Sequence, residues 1–397
     1  MWNSIRRRLA TRARRIHEDA LIAAYPEITI IRTDTKITKG RDTGCPCVTI
    51  GVENKISAIK MKTLSIAPIP SKLGRVKTDV VEAHRIHAPP TGRIRRMGAE
   101  EHQQKFRPVP GGVSAIERCS SACTVTCSVW SKKLQEPVML QNFHCANLRG
   151  CGDKGITQPS PYDKGIPGQD DVAKFIAGDV TNPKTDSAIN QFNDVKNAAK
   201  EILKLGVYRG YAVPEVGDTL IKSGRTSGVT TGTVKALDAT APIDYGDYGL
   251  IVKRDLINTT KMLDGGDSSS PAKRYAADGT LLNELVGQGF AGSDEDSLFV
   301  KIPNIINDPA LKEYELDFTY DWEGNGGGED PEPPEPPAQN CEDNMITCAN
   351  KAKGDLLKGL ICVITYWLCK AGIMSSSKVE VLTKNGRLVV NLKKARK

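Results

Sequence analysis

The chain has 397 residues, 39% hydrophobic and only 5% aromatic, with 36 glycines, 23 prolines and a formal net charge of +8. That length calls for two or three domains, and the composition for β structure joined by turns rather than a helical bundle. No run of eighteen apolar residues occurs: the most apolar stretch, GLICVITYWLCKAGIM at 359–374, is interrupted by Lys370 and reads as a buried helix, not a membrane span.

Charge is concentrated at the front, where residues 1–110 hold 22 Lys/Arg against 10 Asp/Glu. Residues 1–24 read as a basic amphipathic helix ending at Tyr25-Pro26. Its arginines are not followed by the apolar core of a secretory signal. Such an arm suits a weak anionic partner, nucleic acid or a membrane surface, although no aromatic side chains interleave the arginines as stacking platforms. Residues 20–85 read as a small α+β domain, with two apolar strands around a turn at Lys39-Gly40. The stretch 86–110 lacks periodicity and reads as a linker.

From 111 to 322 short strands recur at turn-rich intervals, among them CTVTCSVW, EPVMLQNF, DTLIKSGR, GLIVKRD and SLFVKIP, as in a sandwich or barrel. One helical insert is predicted in SAINQFNDVKNAAKEILKLG, where apolar residues fall near 3.6-residue spacing. The run EGNGGGEDPEPPEPPAQN at 323–340 is a Gly/Pro/Glu linker. Beyond it lies a separate module. Cys341 and Cys348 are seven residues apart, as are Cys362 and Cys369, so each pair shares a helix face. An antiparallel helical hairpin over 341–374, turning at Gly354-Asp355, would pair Cys341–Cys369 and Cys348–Cys362. Free core cysteines are the alternative, and the spacing is not that of a zinc site. Residues 375–397 read as a basic β-hairpin around Asn385-Gly386.

The stretch KMLDGGDSSSP at 261–271 is either a polar turn or a nucleophile loop. The second reading needs an imidazole to take a serine proton and a carboxylate to orient that imidazole. Of the five histidines, His17, His84, His87 and His102 lie in the basic helix or in and beside the linker, and only His144 falls inside the β-rich region. Asp186, in KTDSAI, is the preferred carboxylate over Asp170, Asp171 and Asp179, because it leads into an apolar step. The glycine-rich SGRTSGVTTG at 223–232 lacks the Gly-Lys-Ser/Thr ending of a P-loop.

In the order His, Asp, Ser and in the loop GGDSSSP, the chain resembles trypsin-like serine peptidases. It is more similar still to a bacterial and phage branch related to the plant narrow-leaf-type proteins. The segments that carry this are KTDVVEAH, RPVPGGVSAIE, LQNFHCANL, ITQPSPYDKG, VGDTLIKSGRTSGVTTGTVKALD, DGGDSSSPA and LVGQGFAGS, over about residues 18–310. The resemblance implies a mostly β, chymotrypsin-like double β-barrel with a protein or peptide substrate and no metal or cofactor. It implies His144 as general base, Asp186 as its orienting carboxylate and Ser268 as nucleophile, with the backbone N–H groups of Gly266 and Ser268 holding the oxyanion. Met262, six residues before the nucleophile, would floor the specificity pocket and favour apolar or uncharged side chains. A Cys127–Cys145 bridge is implied as well.

Two positions depart from that pattern. Ser269 and Ser270 stand where the family has glycine, and Phe143 stands within Asn142-Phe143-His144 where Asn-Asn-His is usual. A non-catalytic scaffold using the basic arm and C-terminal module is therefore the competing reading. Mass spectrometry of the purified protein for self-cleavage in the 86–110 linker is the most informative single measurement. The eleven cysteines lean towards an oxidising compartment, against the missing secretory signal.

Overall fold

The computed structural model describes residues 2–38, 41–56, 60–61, 67–88, 100–118, 122–147, 155–246, 249–322, 377–384 and 387–394, the last two as backbone only. The chain divides into two compact units, Met1–Pro333 and Pro334–Lys397. In the second unit, Ser377–Lys384 and Arg387–Lys394 form an antiparallel hairpin, in register from Ser377↔Lys394 to Lys384↔Arg387. The 323–340 linker and the 341–374 helical hairpin, with Cys341, Cys348, Cys362 and Cys369, lie outside the described residues.

The first unit is mostly β, the expected fold class. One antiparallel sheet has seven strands in the order Leu316–Asp317, Cys127–Ser131, Glu136–Gln141, Ser187–Phe192, Asp171–Asp179, Gly155–Thr157 and Ile116–Glu117. A second is built from Thr219–Gly224, Gly228–Asp244, Leu250–Thr260, Pro271–Arg274, Gly287–Gly292 and Asp296–Lys301, and grows to eleven strands by recruiting the N-terminal ones. A continuous core runs between the sheets, from Val125, Val138, Leu140 and Ile189 to Ile221, Ile243, Phe290 and Leu298. A smaller cluster within the second sheet gathers Leu220, Val234, Ile257, Met262, Val286 and Phe299.

The N-terminal helix, Trp2–Ala24, packs on the hairpin Ile28–Thr38 and Arg41–Val52 through Leu21, Ile28, Ile31, Val48, Ile50 and Val52. Val76–Glu82 adds alongside in parallel. These N-terminal elements are continuous with the second sheet. Ile31 pairs with Thr240, joining the N-terminal hairpin to the long strand Gly228–Asp244. Arg14, 2% exposed, donates to Thr240 Oγ1 at 2.8 Å and Asp238 Oδ2 at 3.3 Å, so one arginine of the basic helix is a structural ion-pair partner.

Two expectations need correction. The predicted helical insert is instead two strands, Ser187–Phe192 and Ala198–Ile202, around a short turn at Val195–Asn197 where the Asp194 side chain accepts from Lys196 N. Five of the six residues of Ser187–Phe192 are buried, because this strand sits inside a sheet with both faces covered, and tertiary packing overrides the apparent helical period. The 86–110 stretch is not a featureless linker at its ends: Ile86–His87 is a strand, His102 is buried with Nε2 3.0 Å from Ser223 Oγ, and Val109–Gly111 pairs in parallel with Ala198–Ile202. Residues 89–99 lie outside the described set.

Candidate active site

Glu136–Gln141 and Ser187–Phe192 are antiparallel neighbours, with Ala188 opposite Gln141. The turn that ends the first strand therefore meets the residue that begins the second. His144 is in that turn, and Asp186 immediately precedes Ser187. Four hydrogen bonds join them. Phe143 N donates to Asp186 O at 3.1 Å, Asn142 Nδ2 to the same carbonyl at 2.8 Å, and His144 N to Asp186 Oδ1 at 3.2 Å. His144 Nδ1 lies 2.6 Å from Asp186 Oδ2. A carboxylate so placed accepts a hydrogen bond from Nδ1–H, which fixes that tautomer and leaves the Nε2 lone pair as the basic site. The competing carboxylates are engaged elsewhere: Asp170 with Lys105, Asp171 with Arg118, and Asp179 with Thr181.

Ser268 sits in a loop whose shape is imposed from beneath by Asp267. That buried carboxylate accepts from Thr226 N at 2.8 Å, Ser227 N at 3.1 Å and Asp264 N at 3.0 Å, and pairs with Lys222 Nζ at 2.9 Å. Lys222 and Asp267 are both fully buried. Burial alone would raise the Asp267 pKa, but the Lys222 ammonium and the hydrogen bonds from Ser227, Asp264 and Lys222 bring it below the usual carboxylate range. Gly266 has φ +97°, and a Cβ there would lie 2.3 Å from Thr226 Oγ1, so both conformation and space require glycine. Among the described residues neither Gly266 N–H nor Ser268 N–H is used in a hydrogen bond.

Ser268 reaches the His–Asp pair through its neighbours. Thr124 N donates to Ser268 O at 2.9 Å, and Asn142 N, two residues before His144, donates to Ser269 Oγ at 2.7 Å. His144 Nε2 and Ser268 Oγ are both buried and, among the described residues, have no hydrogen-bond partner. Each of the two side chains belongs to a residue only 2% exposed.

Ser269 adopts φ +75°, the left-handed conformation that explains glycine in the family pattern. Here the strain is offset by a bond glycine cannot make, the one that ties the loop to the histidine turn. Met262 is 4% exposed within the second-sheet cluster, its N–H donating to Ser297 Oγ at 2.9 Å.

The implied Cys127–Cys145 bridge is wrong: Cys145 bonds Cys123, and Cys127 is free. Cys127 opens a strand opposite Leu140 and faces the main core, where burial pushes its thiol up to about 12. Cys123 and Cys145 share a separate small cluster with Ile116. Cys123, His144 and Cys145 have ligand-type atoms within 4.8 Å of one another, but the disulfide occupies both sulfurs.

No protein-family model matches the chain. It is 27% identical over 209 residues to Streptogrisin-D of Streptomyces griseus, covering 51% of this chain and 47% of that protein. The chain thus spans about half the length of the curated relative it matches. Similar solved structures include Nocardiopsis protease, with TM-score 0.39, 15% identity and coverage of 52% of this chain and 97% of that one. Cellulomonas bogoriensis chymotrypsin gives 0.38, 21%, 52% and 96%. A glutamic acid-specific serine protease gives 0.39, 22%, 50% and 96%. The plant branch of the resemblance stands as an expectation.

Sequence reasoning missed the groups that support the pair from behind. Lys253, fully buried, donates to the carbonyls of Val180, Asn182 and Thr185 and so shapes the loop that delivers Asp186. Burial lowers its pKa to about 8 despite the nearby carboxylates of Asp186, Asp179 and Asp308. Tyr245 places its ring 6.0 Å from the His144 ring, and its pKa rises well above the ordinary value through burial and the Asp186 charge. In sequence, Lys253 and Tyr245 look like surface residues of a strand and a turn.

Proposed function

We propose that the chain is a serine endopeptidase of the trypsin-like kind. His144 Nε2 removes the Ser268 proton as Oγ attacks a peptide carbonyl, and Asp186 stabilises the imidazolium that results. The N–H groups of Gly266 and Ser268 receive the oxyanion of the tetrahedral adduct. The imidazolium then returns its proton to the leaving amine, and water repeats the sequence to release the acyl group. Met262, buried six residues before Ser268, would give the specificity pocket an apolar floor. What supports the reading above all is the 2.6 Å Nδ1–Oδ2 contact, which directs the basic nitrogen away from Asp186.

A catalytically silent scaffold is the second reading, favoured by the burial of His144 and Ser268 and by the absence of a direct bond between them. Fluorophosphonate labelling followed by peptide mapping decides. An adduct on Ser268 that disappears in Ser268→Ala is expected. If no adduct forms on folded protein, the scaffold reading holds.

A further inference from the structure

The helix Trp2–Ala24 carries apolar side chains on two opposite sides. One side is the seam against the N-terminal hairpin, where Ala10, Arg14, Glu18 and Leu21 are 0%, 2%, 5% and 4% exposed. The other side holds Ile5, Leu9 and Ile16, which are 49%, 51% and 63% exposed. Their spacing sets all three in one stripe, and Arg12 falls on the same line between Leu9 and Ile16. Arg14 follows Ile5 by about two and a half turns, so the stripe points away from the seam.

Arginine borders the stripe. Arg8, Arg12 and Arg15 are exposed, and with Arg7, Thr11 and Ile16 they line a shallow surface groove of about 750 Å³. The helix has just two acidic residues, and both are engaged: Glu18 pairs with Arg14, and Asp19 with Arg254. Its outer face is therefore an aliphatic row set among positive charges.

That combination selects the partner. A polyanion such as nucleic acid would use the arginines but gains nothing from a central row of aliphatic side chains. A second copy would bury the row but set arginine against arginine, with both helix carboxylates already paired. A bilayer with anionic headgroups answers both features. Aliphatic side chains reach the acyl boundary while guanidinium groups stay at the phosphates. We infer that the outer face of Trp2–Ala24 is a docking surface for an anionic lipid bilayer. The helix lies flat on the membrane while its opposite side stays packed on the protein, so docking needs neither unfolding nor detachment. The inference is independent of the chemistry at Ser268.

The test uses the full chain and sedimentation with vesicles of phosphatidylcholine, alone or with about a third phosphatidylserine. Two variants separate the contributions. Ile5→Gln/Leu9→Gln/Ile16→Gln keeps the charge, and Arg8→Gln/Arg12→Gln/Arg15→Gln keeps the aliphatic row. All six positions are exposed, so both variants should fold, as circular dichroism and urea unfolding check. The parent should bind the mixed vesicles and not the neutral ones. The aliphatic variant should bind at least about tenfold more weakly, because half-covered side chains bury their remaining surface in the bilayer. The arginine variant should bind about a hundredfold more weakly, at about fivefold per charge, and lose most of the salt dependence. Equal binding by the parent and the aliphatic variant marks a purely electrostatic patch and overturns the inference. Binding to neutral vesicles as tight as to mixed ones overturns it too, as does no vesicle binding by the parent. In that last case, self-association or DNA-duplex binding that the variants abolish would assign the face to a second copy or to nucleic acid instead.

Discussion

Ser269 offers the sharpest energetic test, because two substitutions separate its two effects. Both Ser269→Ala and Ser269→Gly delete the hydroxyl that accepts Asn142 N at 2.7 Å. A buried N–H left without a partner costs about 1–3 kcal/mol. Alanine keeps the strain of φ +75°, so its loss is that penalty together with the weaker hydrogen bond from Ser269 Oγ to Cys145 Sγ at 3.5 Å, which glycine loses equally. Glycine recovers about 1–2 kcal/mol of left-handed strain but forfeits about 0.4–1 kcal/mol to the freer unfolded chain. The glycine variant should therefore stand about 0–1.6 kcal/mol above the alanine variant, about 0.8 at the centre of that range, with both below or near the parent. Urea unfolding with a common m value reads the difference. A glycine variant less stable than alanine would refute the claim that this position is strained.

Asp186→Asn should leave the fold intact and slow Ser268 labelling by about 10⁴-fold, since the amide holds the wrong tautomer; a loss under tenfold would remove Asp186 from its role. Lys222→Met leaves Asp267 buried without its cation and should cost about 3–5 kcal/mol in urea unfolding. Because the Asp267 pKa is lowered on folding, its contribution is complete above the unfolded value near ~4 and fades as pH falls through the folded one. The variant should show a flatter acid limb in a stability–pH profile, and an unchanged limb would contradict the pairing. On the basic helix, Arg8, Arg12 and Arg15 are exposed beside Ile5, Leu9 and Ile16, which are 49%, 51% and 63% exposed. Sedimentation with anionic vesicles should show binding that weakens with salt, and salt-independent or absent binding removes the anionic-partner reading.

The scarcity of histidine made His144 legible in the sequence, and the glycines of GGDSSSP made the serine loop so. Asp186 could be preferred but not proved from spacing, since its choice depends on which strands are neighbours. The strand-rich middle of the chain was readable from turn spacing. Its 187–206 segment was not, because two successive strands that each expose a single residue, Gln191 and Glu201, lack the alternation of a half-buried strand and imitate a helical period. The disulfide was misassigned because sequence order cannot say which of Cys123 and Cys127 faces the histidine turn. Lys222 and Lys253 escaped notice for a common reason: a lysine becomes a structural cation only through burial, which no local pattern reports. Ile86–His87 is too short to carry any periodicity.

Ile28–Thr38 lies inside the eleven-stranded sheet, bonded on one side to Arg41–Val52 and on the other to Gly228–Asp244. A protease nick between residues 88 and 100 would thus sever the polypeptide without separating its halves. The front fragment would stay clamped to the rest by that shared ladder and by Arg14, and the two pieces would migrate as one particle until denatured. Cutting alone therefore does not amount to release.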